Sequence, residues 1–239
     1  EDPRSPHAWR ALAETEQRRG RRAAARTAWT ALASLEPADP EPRIRIGLLW
    51  ELDRQYDTAE DSYRMAIQRA PRSARAHRVL GARLLRWDRP AEAIPSLERS
   101  LALDPKHAET WNALAIAQLR AGKNRDALGT FRRAIDRHPR FLALRLGLAK
   151  VLIDEGDHRG ALGVYDEIAR NWPNFAAVHV GRGLLLHELG DQRGALAAFA
   201  QAAEDASDPN QRKRFERQLE DYRRLIGPKN APGGDGSSP

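Results

Sequence analysis

The chain has 239 residues, 41% of them hydrophobic and 31% charged, with a formal charge of +7 and no cysteine. This content supplies a core and a large charged surface, and the missing cysteine excludes disulfides, thiolate metal sites and a thiol nucleophile. No stretch approaches the roughly 18 consecutive apolar residues of a membrane-spanning helix. Of the 40 basic residues 35 are arginine, a skew read as codon usage in a GC-rich genome. The 33 acidic residues are interspersed among them, so no single-sign run points to nucleic acid, and none is expected as a partner. Glu1 stands first in place of Met, which is read as a processed or truncated start. The compartment, periplasm, envelope or cytoplasm, therefore stays open.

Residues 1–5 are expected to be an N-terminal extension. Beyond them Pro37, Pro71, Pro105, Pro139 and Pro173 recur at intervals of 34 residues, which marks tandem repeats. With that proline as position 32, the repeats run 6–39, 40–73, 74–107, 108–141, 142–175 and 176–207; the last has Ser207 in place of proline. Position 20 is alanine in all six, from Ala25 to Ala195. Position 8 is always Ala or Gly, and position 24 is always large: Trp29, Tyr63, Leu97, Phe131, Tyr165 and Phe199.

Each repeat reads as two helices. In 108–122 the apolar residues recur at three- and four-residue steps, as one helical face requires. Gly20, Gly122, Gly156 and Gly190, at position 15, supply the left-handed residue that closes a helix. The second helix ends before the repeat proline, which cannot continue it. Small residues at positions 8 and 20 let the two helices approach, and position 24 fills the space towards the next repeat. Pro95, early in a second helix, predicts a local irregularity. After the repeats, 208–226 predicts a capping helix: Asp208 caps, Pro209 starts, Gly227 stops, and Phe215, Leu219, Tyr222 and Ile226 form one stripe. The tail 227–239 has too little apolar content to fold and is expected to be a disordered end or linker.

The unit resembles the tetratricopeptide repeat. Trp111, Leu114, Ala115, Ala127, Phe131, Ala134 and Pro139 follow that family's consensus in the fourth repeat, and the resemblance covers about 200 residues. It implies an all-α, right-handed superhelical solenoid of six helix-turn-helix units whose first helices line a concave groove. It further implies a non-enzymatic module that binds a protein or peptide, with no cofactor.

The residues carry no competing chemistry. None of the seven histidines has another at i+3 or i+4, so a helical metal pair is missing. The segment HELGD (187–191) lacks the second histidine of a zinc motif, and GRG (181–183) lacks the rest of a nucleotide loop. Neighbouring acids such as Asp154 and Glu155 point to different sides of a helix.

In the family, positions 2, 5, 9, 12 and 13 tend to face the groove. Carried over, they give two candidate sites. One is a basic patch of Arg75, Arg78, Arg86 and Arg120, suited to carboxylates. The other is an apolar strip of Ile116, Leu119, Leu146, Ile153, Val180 and Leu184, with Asn112 at position 5 beside it. Glu14, Glu41, Glu51 and Glu109 are placed to neutralise the arginines instead. The family's chaperone carboxylate clamp is not expected, because its asparagines are missing and Glu14 has the wrong sign. The leading reading is an adaptor, scaffold or assembly factor holding a peptide or protein segment with acidic and apolar side chains. A bacterial envelope factor of the pilotin type and the regulatory part of a larger enzyme are the alternatives. A monomer is favoured over self-association.

Overall fold

The computed structural model describes residues 5–173 and 175–227, so the extension before Ser5 and the tail beyond Gly227 lie outside the described residues. The described chain is all-α. Its helices are α1 (Pro6–Arg18), α2 (Arg22–Leu35), α3 (Glu41–Leu52), α4 (Tyr56–Arg69), α5 (Ala74–Arg86), α6 (Pro90–Leu103), α7 (Ala108–Arg120), α8 (Asn124–Arg137), α9 (Leu142–Asp154), α10 (His158–Asn171), α11 (Ala177–Glu188), α12 (Gln192–Asp205) and α13 (Pro209–Ile226). Two compact units result, Glu1–Lys123 and Asn124–Pro239.

In the N-terminal unit α1 packs on α2, α3 on α4 and α5 on α6, and each hairpin also packs on the next helix in line. The first helices α3, α5 and α7 touch one another in turn. They therefore form one side of the stack. In the C-terminal unit α8 packs on α9, α9 on α10, α10 on α11, α11 on α12, and α12 on α13.

The small positions have a defined role. At Gly47 an added Cβ would lie 2.4 Å from the Tyr63 ring, and at Gly81 it would lie 2.6 Å from Leu97. At Gly183 it would meet Phe199 at 2.8 Å. In these repeats the large position-24 side chain lodges on position 8 of its own hairpin. Phe131 and Tyr165 reach Gly147 and Gly181, position 6 of the following repeat, at 2.4 and 2.7 Å by the same measure. Position 24 thus fills the space towards the next repeat, as expected, and also packs within its own hairpin.

Position 4 ties one hairpin to the next. Arg43 Nη1 and Trp111 Nε1 donate to the carbonyls of Pro37 and Pro105 at 3.1 and 2.8 Å. His77 Nε2 bonds the Pro71 carbonyl at 3.1 Å, and Arg145 donates to that of Pro139. These carbonyls follow a helix end and have no successor in the helix to bond. Three side-chain types meet one need.

Gly20, Gly122, Gly156 and Gly190 close their helices at φ between 74° and 83°. The second and third repeats make the same turn with Arg54 (φ 59°) and Asp88 (φ 60°), where the left-handed conformation strains an ordinary residue. The irregularity expected at Pro95 does not occur, and α6 runs unbroken. Pro95 is only the sixth residue of that helix, so it removes one early hydrogen bond. In α13 the Asp208 carboxylate accepts the Gln211 amide at 2.8 Å, and Phe215, Leu219 and Tyr222 are buried against the preceding hairpin.

Candidate functional site

In the N-terminal unit the four arginines of the basic patch divide into two kinds. Arg75 is held by Glu41, Nε to Oε2 at 2.7 Å, and Glu41 also binds Arg45 at 2.6 Å. Arg120 bonds the Leu85 carbonyl at 3.0 Å and pairs with Asp88. Glu41 thus acts as the internal counter-ion that its sequence position allowed. Asp88, which sequence reasoning missed, takes Arg120. Its signal was the absent glycine at position 15. Half-buried Arg78 and exposed Arg86 have no acidic partner among the described residues.

Most remaining charge in this unit is structural. Arg10 binds Glu36 and Asp39 at 3.1 and 2.9 Å. Asp53 receives Arg22 at 2.7 Å and also Arg26, whose guanidinium lies 3.8 Å over the Trp50 ring. Hydrogen bonds from these two arginines hold the Asp53 carboxyl below its usual range. Buried Glu60 is gripped by Arg64 and Arg89, each at 2.5 Å. The Tyr63 hydroxyl donates to Glu51 at 3.1 Å, and burial first, then the Glu51 charge, raises its pKa. Ile116, Leu119 and Asn112 are half-buried on α7.

A cleft of about 410 Å³ lies at the turn ends of the second and third repeats, lined by Leu48, Glu51, Leu52, Tyr56, Arg83, Arg86 and Trp87. Leu52 is 60% and Tyr56 47% exposed. The Tyr56 and Trp87 rings are 5.7 Å apart, and Trp87 stacks on Tyr63 at 6.5 Å.

In the C-terminal unit Ile153 and Leu184 are exposed, Leu184 at 51%, and Leu146 is half-buried. Val180 packs against both clusters formed by α12 and α13, so it serves the core there. Sequence reasoning could not separate these cases, because position 5 of the last repeat also meets the capping helix.

Arg182 breaks the otherwise aliphatic position 7 and organises a polar chain. Its Nε donates to Asp166 at 2.7 Å, and its Nη1 lies 3.2 Å from His179 Nδ1. Arginine only donates, so Nδ1 accepts and Nε2 carries the proton towards Asp205, 3.2 Å away. Burial, followed by the Arg182 charge, lowers the His179 pKa despite Asp205. The chain joins α10, α11 and α12 beside a cavity of about 650 Å³ that includes Asp191 and Gln201. Among the described residues no cluster of three acid or histidine side chains could hold a metal, and no helix is long and apolar enough to cross a membrane.

The sequence matches the tetratricopeptide repeat family model at residues 10–74, 48–108, 79–140, 112–174 and 146–211. No curated protein sequence matches it. Among solved structures the fold is similar to PilW, a widely conserved type IV pilus biogenesis factor, with TM-score 0.64 and 18% identity over 88% of this chain and 98% of that one. It is also similar to pilF of Pseudomonas aeruginosa, with TM-score 0.63 and 19% identity over 89% and 97% of the two chains. A third is YrrB, a repeat protein with an unusual peptide-binding site, with TM-score 0.62 and 18% identity over 80% and 98%.

Proposed function

We propose that this chain, which belongs to the tetratricopeptide repeat family, is a non-enzymatic adaptor or assembly factor that holds a peptide or protein segment against its first helices. The family is a protein–protein interaction module. The observation that carries the finer reading is apolar surface on first helices beyond what the core consumes: Ile116 and Leu119 in one unit, Leu146, Ile153 and Leu184 in the other. Such side chains gain from burial against a partner, about 25 cal/mol for each Å² removed from water. Arg78 and Arg86 add cations without an internal acid, which suits acidic residues in the bound segment.

The test is capture of partners from the source organism by the native chain and by an Ile153→Arg, Leu184→Arg variant, both verified as folded by circular dichroism. Partners kept by the native chain and lost by the variant support the reading. Partners held equally by both remove the C-terminal apolar face from it.

An assembly role in the bacterial envelope is the second reading. It is supported by the near-complete mutual coverage with PilW and pilF, although the identities there speak for fold alone. Deleting the gene and scoring type IV pili would decide it: unchanged piliation removes this reading.

A further inference from the structure

The cleft at the turns of the second and third repeats combines an apolar wall with a surplus cation. Leu52 and Tyr56 are strongly exposed, and Trp87 backs them with its ring held between Tyr56 and Tyr63. Exposed aromatic and leucine side chains grouped in one concavity are a recognition feature; scattered ones would carry no meaning.

The charges around the cleft decide what it would hold. Among the described residues, three of the acids on or next to the lining residues are occupied by arginine, and exposed Asp57 beside Tyr56 is not. Glu51 is bound by Arg83 at 3.1 Å and accepts the Tyr63 hydroxyl; Asp53 is bound by Arg22 and Arg26; Asp88 is bound by Arg120. Arg86, on the cleft wall, has no acid among the described residues. Among the residues that line the cleft, Arg83 offsets Glu51 and Arg86 is left as a surplus positive charge.

The backbone gives an independent indication. The turns bordering the cleft belong to the two repeats that adopt the left-handed conformation without glycine, at Arg54 and Asp88. In this position Asp88 withdraws Arg120 from competition, and strain of this kind concentrates at functional sites.

We propose that this cleft binds a partner-protein segment in which a phenylalanine or leucine is flanked by aspartate or glutamate, the apolar side chain entering between Leu52, Tyr56 and Trp87 and a carboxylate meeting Arg86. The proposal deepens the peptide-binding reading above and rests on it.

The experiment uses the full chain, labelled with ¹⁵N, titrated by NMR with the capped peptide acetyl-Gly-Asp-Phe-Asp-Gly-amide and with its Asn-Phe-Asn counterpart. Shifts confined to the cleft residues, at least tenfold weaker for the Asn peptide, are expected. Arg86→Gln should weaken the Asp peptide at least fivefold and leave the Asn peptide unchanged, whereas Leu52→Ser should weaken both. Both residues are exposed, so both variants should fold, and matching spectra verify this. Equal affinities for the two peptides, or no effect of Arg86→Gln, overturn the proposal. Shifts on α9 and α11 instead overturn the cleft and leave the peptide-binding reading standing. No shifts anywhere overturn the cleft, and the partner-capture assay then judges the wider reading separately. Displacement of the peptide by a ten-nucleotide RNA would assign the cleft to nucleic acid and overturn it too.

Discussion

Replacing Gly47 by alanine and replacing Gly129 by alanine are the same chemical change in the same secondary structure, and they should have opposite effects. Each removes a helical glycine, which by propensity alone stabilises by about 1 kcal/mol. Gly129 is exposed, and nothing lies within 4 Å of its added Cβ, so that gain should appear almost whole. At Gly47 the new carbon would meet three atoms of the Tyr63 ring between 2.4 and 2.8 Å. Tyr63 is fully buried and its hydroxyl is tied to Glu51, so the ring has nowhere to retreat. Overpacking costs about 1–3 kcal/mol, and after subtracting the propensity gain Gly47→Ala should destabilise by up to about 2 kcal/mol. Urea unfolding followed by circular dichroism measures both variants, with the slope checked because repeat arrays can unfold in steps. If Gly47→Ala stabilises as much as Gly129→Ala, the lodging of position 24 on position 8 is wrong.

Three further outcomes are expected. Arg54→Gly relieves a left-handed backbone and should stabilise by about 1 kcal/mol in the same unfolding assay. Ser100→Ala removes a buried hydroxyl that donates to the Ala74 carbonyl at 2.8 Å and should cost about 1 kcal/mol. The folded His179 pKa lies below its ordinary 6.5, so the unfolded chain takes up the proton first. His179 faces Arg182 on its own helix and Asp205 from α12, with Asp166 of α10 behind Arg182. Its contribution to stability is therefore present above pH 6.5 and lost as pH falls from there towards the folded value. Melting temperatures between pH 7.5 and 5 should drop less in His179→Gln than in the native chain; parallel curves would refute the assignment.

The periodicity was legible because it states packing directly. An alanine that must lie between two helices, and a proline that ends one, recur wherever the hairpin recurs. The helix-closing glycines and the Asp208 cap are local, and local chemistry reads from local sequence. What escaped was pairing across hairpins. Position 4 looks unrelated as Arg43, His77, Trp111 and Arg145, because the common feature is a donor N–H reaching a proline carbonyl, and three side chains supply one. In the basic patch Glu41 was readable as a counter-ion to Arg75, whereas Asp88, at the turn of the third repeat, takes Arg120 unforeseen. Val180 reads as groove-facing from its position and serves the α12–α13 core because it sits in the last repeat.

If each unit binds its partner on its first helices, hydrogen–deuterium exchange of the full chain with and without the captured partner will show it. Added protection is expected in α3, α5, α7, α9 and α11 and at the Tyr56 start of α4, with α2, α6, α8, α10, α12 and the rest of α4 unchanged. Protection concentrated on those second helices, or on α13 alone, would contradict it.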